Sequence, residues 1–347
     1  MPGTSHPRLR FAAIGLDHRH IYDQVKSLED AGAECVGFWT RDDAMPLAGF
    51  IERFPHVPRV VDRRRLLDDP SIKLITCAAI PAERADLAIE AMRAGKDFMV
   101  DKPGLTTVEQ LAAVKAVQAE TKRIFSVDFT ERFETRSTTR AGELVHAGAI
   151  GRVVHIVGLG PHRLNRHLRP AWFFDKPAYG GILVDIASHQ FDQFLHFTGA
   201  TDARIVMARA TNIAHPGDPG LQDLGEVMLE ADTAGGLATG YIRVDWFTPD
   251  GLSTWGDGRL FITGTEGTIE VRKYIDVAGR PGIDHLFLVD RKGMRHIDCA
   301  DATLPYYPNL IRDVFERTQT AMSQAHCFKV CELSLSAQAM AEARGRS

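Results

Sequence analysis

The chain has 347 residues, of which 44% are hydrophobic, and a net charge of −4 from 41 Lys and Arg against 45 Asp and Glu. The length favours two domains with sizeable cores, and the charge gives no reason to expect nucleic acid or an anionic membrane as a partner. Apolar runs stay below the roughly 18 residues of a membrane span, and MPGTSHPRLR lacks the apolar core of a signal peptide. Five cysteines without a C-x-x-C pair are typical of reduced thiols, so we expect a cytoplasmic protein.

The first third of the chain alternates short apolar runs with helical patterns. Strands are predicted over 9–15, 34–39, 73–79, 97–100 and 123–127, and helices over 21–31, 85–92 and 108–120. Thr106-Thr-Val-Glu109 has the form of a capping box before the last of these helices. This alternation predicts a parallel sheet covered on both faces, a doubly wound Rossmann domain over residues 1–126. Ligands of such sheets bind beyond the carboxyl ends of the strands.

Beyond about residue 126, apolar runs separated by Gly, Pro and Asp predict antiparallel strands. These runs cover 153–159, 204–213, 225–230, 237–247, 259–262, 268–274 and 286–290. Ile242 and Val244 alternate with Tyr241 and Arg243, which indicates a sheet with one packed face and one more polar face. The sequence therefore predicts a second α/β domain, with a large and mostly antiparallel sheet, over residues 127–347.

The turn after the first predicted strand reads Gly15-Leu-Asp-His-Arg-His20. The dinucleotide fingerprint G-x-G-x-x-G has glycines where this turn has Asp17 and His20. A helix N-terminus still offers amide donors to phosphate, so the turn could hold a nucleotide. The alternative is a tight turn whose polar side chains face water.

Thr40 and Arg41 follow the second predicted strand, where NAD-binding proteins commonly have an acidic residue for the ribose hydroxyls. A hydroxyl beside a guanidinium suits a 2′-phosphate better, which favours NADP over NAD. Arginines at strand ends are common on surfaces, however, and Asp42 follows directly, so both nucleotides remain open.

Two further motifs carry ionisable side chains. Lys102, in Asp101-Lys102-Pro103, follows a predicted parallel strand and could reach a substrate oxygen in the crevice, or could be a solvated lysine before a turn. Asp185 and His189 stand four apart, which on a helix places carboxylate and imidazole on one face. Such a pair suits proton transfer, although a surface Asp–His pair is also common.

Taken together, these motifs resemble the Gfo/Idh/MocA family of NAD(P)-dependent oxidoreductases. Asp101-Lys102-Pro103 is similar to that family's Glu-Lys-Pro motif, and residues 180–189 are similar to its G-G-x-L-x-D-x-x-x-H helix. Further similarity occurs at 91–96, Arg132-Phe133, 148–151 and 264–269, so the resemblance covers nearly the whole chain.

The resemblance implies hydride transfer between nicotinamide and a hydroxyl or carbonyl carbon of a sugar, polyol or similar molecule. It implies that Lys102 contacts substrate and nicotinamide, that His189 is the acid/base, and that Asp185 supports the proton transfer. It also implies a substrate domain whose sheet often forms a dimer or tetramer interface, so we expect a homodimer or homotetramer. No metal is expected.

The predicted cofactor-binding residues are Gly15, Asp17, His18, His20, Thr40, Arg41, Ala79, Ile80, Pro81, Arg84, Asp101 and Lys102. The family's T-P-N-x-x-H turn is here Ala79-Ile-Pro-Ala-Glu-Arg84, with arginine where histidine is usual. The predicted substrate-binding residues are Arg132, His162, Arg163 and Trp172. Guanidinium and imidazole groups suit hydroxyls or a carboxylate, although residues 161–172 could instead be a basic surface loop or an arm to a neighbouring subunit.

Two other functions stay open at this point. One is a non-catalytic NADP-binding sensor or regulator, which the altered glycine turn favours. The other is a glycosidase-like enzyme that uses bound NAD for transient oxidation and elimination.

Overall fold

The structure is a computed structural model and describes residues 6–344. The chain forms two compact units. The first unit contains Met1–Asp128 and Pro305–Phe328, and the second contains Phe129–Leu304 and Lys329–Ser347. The sequence predicts a single boundary between residues 126 and 127, whereas the chain leaves the first unit after Asp128 and re-enters it at Pro305.

Long-range hydrogen bonds attach this returning segment to the last strand of the first unit. The hydroxyls of Tyr306 and Ser126 lie 2.8 Å apart, and the Phe125 amide donates to Oε1 of Gln324 over 2.9 Å. These pairs are separated by 180 and 199 residues along the chain, so no local pattern reveals them.

The first unit is built on a five-stranded parallel sheet with the strand order β2-β1-β3-β4-β5. The strands are β1 (Arg10–Ile14), β2 (Glu34–Trp39), β3 (Leu74–Cys77), β4 (Asp97–Asp101) and β5 (Phe125–Asp128). β3, β4 and β5 are buried throughout, as expected for parallel strands with helices on both faces.

Helices follow each of the first four strands. They are α1 (Ile21–Asp30), α2 (Leu47–Arg53), α3 (Arg64–Leu67), a 3₁₀ turn (Pro81–Glu83), α4 (Arg84–Arg93) and α5 (Val108–Thr121). The predicted capping box lies one residue further on, because Thr107 rather than Thr106 is the N-cap and accepts from the Gln110 amide over 3.2 Å. Gln110 in turn accepts from the Thr106 amide, which tightens the same turn.

The second unit is built on an eight-stranded sheet with the order β13-β12-β11-β10-β6-β9-β8-β7. Its strands are β6 (Val153–Pro161), β7 (Arg204–Thr211), β8 (Leu224–Thr233), β9 (Gly236–Asp245), β10 (Arg259–Gly264), β11 (Gly267–Arg272), β12 (His285–Asp290) and β13 (Gly293–Ile297). All neighbours are antiparallel except β6 and β9. Together with the parallel sheet of the first unit, this confirms the predicted fold class.

The helices of the second unit are α6 (Thr130–Phe133), α7 (Arg136–His146), α8 (Lys176–Tyr179), α9 (Ile182–Asp185) and α10 (Ser188–Thr198), with 3₁₀ turns at Arg166–Leu168 and Ala171–Phe174. α11 (Tyr306–Glu316) belongs to the first unit, and α12 (Gln324–Arg344) begins there and ends in the second. α10 packs closely on β6 and β9, where glycines leave room for it. A Cβ on Gly158 would lie 2.8 Å from Gln190, and one on Gly240 would lie 2.9 Å from Phe194.

All five cysteines are buried and none forms a disulfide. Across the part of the chain that the structure covers, no helix combines the length and the apolar character that crossing a bilayer requires.

Candidate functional site

The first unit has a ligand crevice where its strand order reverses. β1 and β3 are neighbours, while the chain runs from β1 to β2 on one side before it returns to β3 on the other. Such a switch point opens a crevice beyond the carboxyl ends of the strands. The predicted cofactor residues all lie at this edge, in the turns after β1, β2 and β3 and at the end of β4.

The turn after β1 uses most of its amides inside the protein. Gly15 donates to the Trp39 carbonyl over 2.9 Å, Leu16 to Oγ1 of Thr40 over 3.1 Å, and His18 to the Ala78 carbonyl over 2.8 Å. These are the groups that a glycine-rich turn would offer to phosphate. The Thr40 hydroxyl is likewise occupied as an acceptor, so a ligand at this turn meets mainly side chains.

Gly15 itself is required by geometry. Its φ is +81°, and a Cβ there would lie 2.5 Å from the Cβ of Ala79. Only glycine allows this close approach between the turns after β1 and β3.

Two imidazoles face a buried carboxylate at this turn. Nδ1 of His20 donates to Asp101 over 2.8 Å, and Nδ1 of His18 lies 3.4 Å from the other oxygen of Asp101. Burial alone would raise the pKa of Asp101, but the His20 imidazole and the Arg84 guanidinium hold it well below its usual range. The three side chains place their donor atoms within 4.8 Å of one another, a spacing that could hold a metal ion. The Arg84 guanidinium on the same carboxylate opposes a second cation.

Arg84 ties the ends of β3 and β4 together. Its guanidinium is 1% exposed and donates to the carbonyls of Ala79, Asp101 and Pro103 over 2.7–2.8 Å. It also reaches the Asp101 carboxylate at 3.1 Å. Arg84 was predicted to bind the cofactor, and all these contacts are made inside the protein.

A second charged group forms around Asp17, which is 5% exposed. Nε of Arg41 lies 3.2 Å from Asp17, and the same guanidinium is hydrogen-bonded to Glu83. Burial raises the pKa of Asp17 to about 6, although the Arg41 charge acts in the opposite direction. Arg41 is therefore shared between two acids, although its side chain is still 38% exposed.

An open cavity of about 230 Å³ lies beside this group. Its lining includes Asp17, Arg41 and Glu83, together with Trp39 at the end of β2 and Arg63, which directly precedes α3. Arg63 stacks over the Trp39 ring at 5.3 Å and also pairs with Glu90. An indole with two guanidiniums offers a stacking surface and anion donors in one place.

Lys102 lies directly after β4 and is 5% exposed, so it is not the solvated lysine of the alternative interpretation. The Lys102–Pro103 peptide bond is cis.

Asp185 and His189 do not share one continuous helix, which corrects the prediction. α9 ends at Asp185 and α10 begins at Ser188, and the His189 amide donates to the Ile186 carbonyl instead of the Asp185 carbonyl. The entry to α9 favours glycine, because the φ of Gly181 is +94°, in the left-handed region. Both ionisable side chains are nevertheless buried, with exposures of 7% and 2%.

Glu131 and Lys273 form a buried ion pair close to His189, which sequence reasoning missed. Burial raises the pKa of Glu131, but Lys273, His189 and His162 lower it to about 2. The two residues are 142 positions apart in the chain, so no local sequence pattern connects them.

The residues predicted to bind substrate have partners inside the second unit. Arg132 forms a two-point pair with Asp192, at 2.6 and 2.7 Å, and Arg163 donates to the carbonyls of Pro249 and Leu252. His162 donates to the Gly160 carbonyl over 3.1 Å and packs between the rings of Trp246 and Trp255. Trp172 is half-buried beside Phe173.

Comparisons with known proteins place similarity along most of the chain. Residues 9–129 match the oxidoreductase family with an NAD-binding Rossmann fold, and residues 138–270 match the GFO/IDH/MocA C-terminal domain. A crystal structure from Erwinia carotovora atroseptica SCRI1043, assigned as an oxidoreductase, is 50% identical with a TM-score of 0.92. That match covers 96% of this chain and 99% of the other.

Two curated enzymes are also similar. The scyllo-inositol 2-dehydrogenase (NAD(+)) of Bacillus subtilis (strain 168) is 26% identical over 276 residues, which cover 76% of this chain and 73% of that enzyme. The levoglucosan dehydrogenase of Pseudarthrobacter phenanthrenivorans is 30% identical over 154 residues. That alignment covers 44% of this chain and 39% of that enzyme, so it spans less than half of either protein.

Proposed function

The chain belongs to the Gfo/Idh/MocA family of oxidoreductases, and on that premise we propose that it transfers hydride between nicotinamide and a hydroxyl or carbonyl carbon of a sugar, polyol or similar small polar molecule. Membership confirms the predicted enzyme class, a dehydrogenase acting on CH–OH groups. The names of the inositol and levoglucosan enzymes support the proposed substrate class.

The burial of three ionisable side chains is the observation that carries this proposal. Lys102, Asp185 and His189 are between 2% and 7% exposed, although each would be better hydrated at the surface. Buried ionisable groups at the positions of a family motif are typical of functional sites.

The proposed roles follow from the chemistry of these groups. The Lys102 ammonium donates to the substrate oxygen and orients the carbon that reacts. His189 takes the hydroxyl proton during oxidation and returns it during reduction, while Asp185 orients the imidazole. The nucleotide, when bound, supplies the hydride acceptor or donor at nicotinamide C4.

The residues present fit a dinucleotide whose diphosphate is held mainly by side chains. His18 and His20 are 19% and 33% exposed at the turn after β1, so their rings remain accessible to a phosphate oxygen. At Gly15, where a side chain would collide with Ala79, no Cβ stands between the turns after β1 and β3. The Trp39 and Arg63 cavity lies at the end of β2, where the adenosine half of a dinucleotide binds in Rossmann domains.

We propose that NADP binds in preference to NAD by a small margin. Arg41 and Arg63 can donate to a 2′-phosphate, but each is already paired with a carboxylate, Glu83 and Glu90 respectively. A 2′-phosphate must therefore compete with these acids for the guanidiniums. Fluorescence titration with NADPH and NADH tests this, and tighter binding of NADH would overturn it.

A non-catalytic nucleotide-binding protein is the second candidate, and the engaged amides of the β1 turn favour it. A turn that uses most of its amides inside the protein holds the diphosphate less rigidly, which is tolerable for binding but costly for hydride transfer. This candidate predicts nucleotide binding with no turnover across a broad panel of polyols and ketones.

The experiment follows nicotinamide absorbance with a panel of sugars, polyols and their ketones. Wild-type protein should turn over at least one of them, and Lys102→Ala or His189→Ala should lower kcat by roughly 10²–10⁴-fold. Lys26→Ala and His56→Ala serve as matched controls, because both side chains are exposed and lie outside the proposed site. Activity that survives both Lys102→Ala and His189→Ala would eliminate the assignment.

A further inference from the structure

The ion pair between Glu131 and Lys273 lies deep in the second unit. Glu131 belongs to α6 and Lys273 directly follows β11, and each side chain is 1% exposed. Replacing a buried ion pair by apolar side chains of similar volume is often neutral or stabilising. Stability alone therefore gives no reason for this pair.

Gln193 links the ion pair to the backbone of His189. Its Oε1 accepts from Nζ of Lys273 over 2.8 Å, while its Nε2 donates to the His189 carbonyl over 2.9 Å. The same Nε2 lies 3.4 Å from Glu131. Because an ammonium can only donate, Lys273 fixes which end of the Gln193 amide faces His189.

Gln190 makes a second link on the neighbouring turn of α10. Its Nε2 donates to the same Glu131 oxygen over 3.0 Å. The other oxygen, Oε1 of Glu131, is buried and receives no hydrogen bond from residues 6–344. The Glu131 carboxylate thus contacts both Gln190 and Gln193, which lie in α10 shortly after the break between α9 and α10.

The pair also acts on His189 through its charges. Burial raises the pKa of Glu131. The charge of Lys273 lowers it, and His189 and His162 lower it further. Because the interaction is mutual, the carboxylate favours a protonated imidazole and the ammonium disfavours it. Tyr274 lies within reach of the Glu131 charge, and Arg132, which follows Glu131 in the chain, is paired with Asp192.

We propose that Glu131 and Lys273 are positioning residues for His189. Their ion pair fixes the first turn of α10 and keeps the charge around the imidazole balanced while it takes up and releases a proton. This inference rests on the role of His189 in the proposed function.

The test is NMR titration of the full-length protein with labelled histidine, in which His189→Gln identifies the His189 signal. Glu131→Gln leaves the Lys273 charge unbalanced and should lower the His189 titration midpoint by about half a pH unit or more. Lys273→Met leaves the Glu131 charge and should raise the midpoint by a similar amount. The double variant Glu131→Gln/Lys273→Met should stay near wild type.

Kinetic measurements on the double variant test whether the ion pair positions His189. The double variant buries no unpaired charge and is expected to fold. Its kcat should be lowered about tenfold, with nucleotide affinity unchanged. Wild-type kcat in the double variant would overturn the proposal. Single-variant midpoints that stay put, or that move in the same direction, would also overturn it.

Failure of the proposed function and failure of the positioning proposal give different results in these experiments. Wild-type protein without turnover on any substrate defeats the proposed function, whereas the His189 midpoints are read without turnover. If a single variant does not fold, the remaining single variant and the double variant decide the sign of the effect.

Discussion

At the scale of single residues, Asp17 is the most consequential departure from a standard dinucleotide turn. It stands where the fingerprint has its second glycine and so brings a carboxyl group to the place of the diphosphate. Burial raises its pKa to about 6, so the carboxyl is ionised at neutral pH and neutral in mild acid. A neutral Asp17 no longer repels phosphate.

Nucleotide affinity should therefore rise as the pH falls through the pKa of Asp17, about 6. The dissociation constant of NAD⁺, which has no 2′-phosphate, should fall roughly three- to tenfold between about pH 8 and about pH 5. Asp17→Asn should bind more tightly than wild type at about pH 8 and should weaken this dependence. Isothermal titration calorimetry measures both, and Asp86→Asn, an exposed acid of the same cavity, is the control that should retain it. A pH-independent wild type would contradict this account of the turn.

The predicted substrate ligands show where residue-level reasoning from sequence ends. Arg132 and Arg163 carry the right chemistry, but their guanidiniums bind Asp192 and the 249–252 loop. A sequence shows which side chains are present, but it does not show which neighbours form hydrogen bonds or ion pairs with them. Glu131 and Lys273 were missed for the same reason, since 142 residues separate them.

At the scale of elements, buried parallel strands were the best predicted. The run over 34–39 coincides with β2, and the other four strands of the first unit differ from their predicted ranges by at most two residues at either end. Their apolar runs are short and bounded by polar turns, which local patterns detect. β13 was not predicted, because only two of its five residues, Met294 and Ile297, are large and apolar.

The junction between α9 and α10 was beyond prediction for another reason. Residues 180–189 have helical spacing, yet α9 ends at Asp185 and α10 begins at Ser188. Gln338, which is far away in the chain, accepts a hydrogen bond from the Leu183 amide of α9 over 3.2 Å. Spacing alone therefore suggested one helix where two short ones meet.

The Arg84 guanidinium connects the ends of β3 and β4 by hydrogen bonds, so its removal should lower the stability of the protein. Arg84→Met should leave the Asp101 carboxylate and three carbonyls without this donor, and should destabilise the protein by about 3–5 kcal/mol. Urea unfolding measures the loss.

Arg64→Met is the matched control, since Arg64 is 62% exposed and its pair with Glu90 should contribute no more than about 1 kcal/mol. Equal effects of the two substitutions would mean that Arg84 does not clamp the strand ends.

At the scale of the whole molecule, we propose that copies of the chain associate through the eight-stranded sheet. Val206 at the bulge of β7 and Met228 on β8 are 40% and 47% exposed, which leaves apolar side chains uncovered on neighbouring strands. Exposed apolar surface of this kind is typical of interaction sites.

Light scattering should find a dimer or tetramer for the wild type, and Val206→Asp/Met228→Asp should reduce its mass. Val61→Asp, which changes an apolar residue of the first unit that is 94% exposed, should leave the assembly intact. A monomeric wild type would remove the proposal of a homo-oligomer.

We propose that Lys102 and His189 act on one substrate at one nicotinamide ring. A crystal structure of the protein with bound nucleotide would test this proposal. We expect the Lys102 ammonium and the His189 imidazole both to lie within roughly 3 Å of a common oxygen position beside nicotinamide C4. A nucleotide bound away from the β1 turn, or the two side chains on opposite sides of the ring, would contradict it.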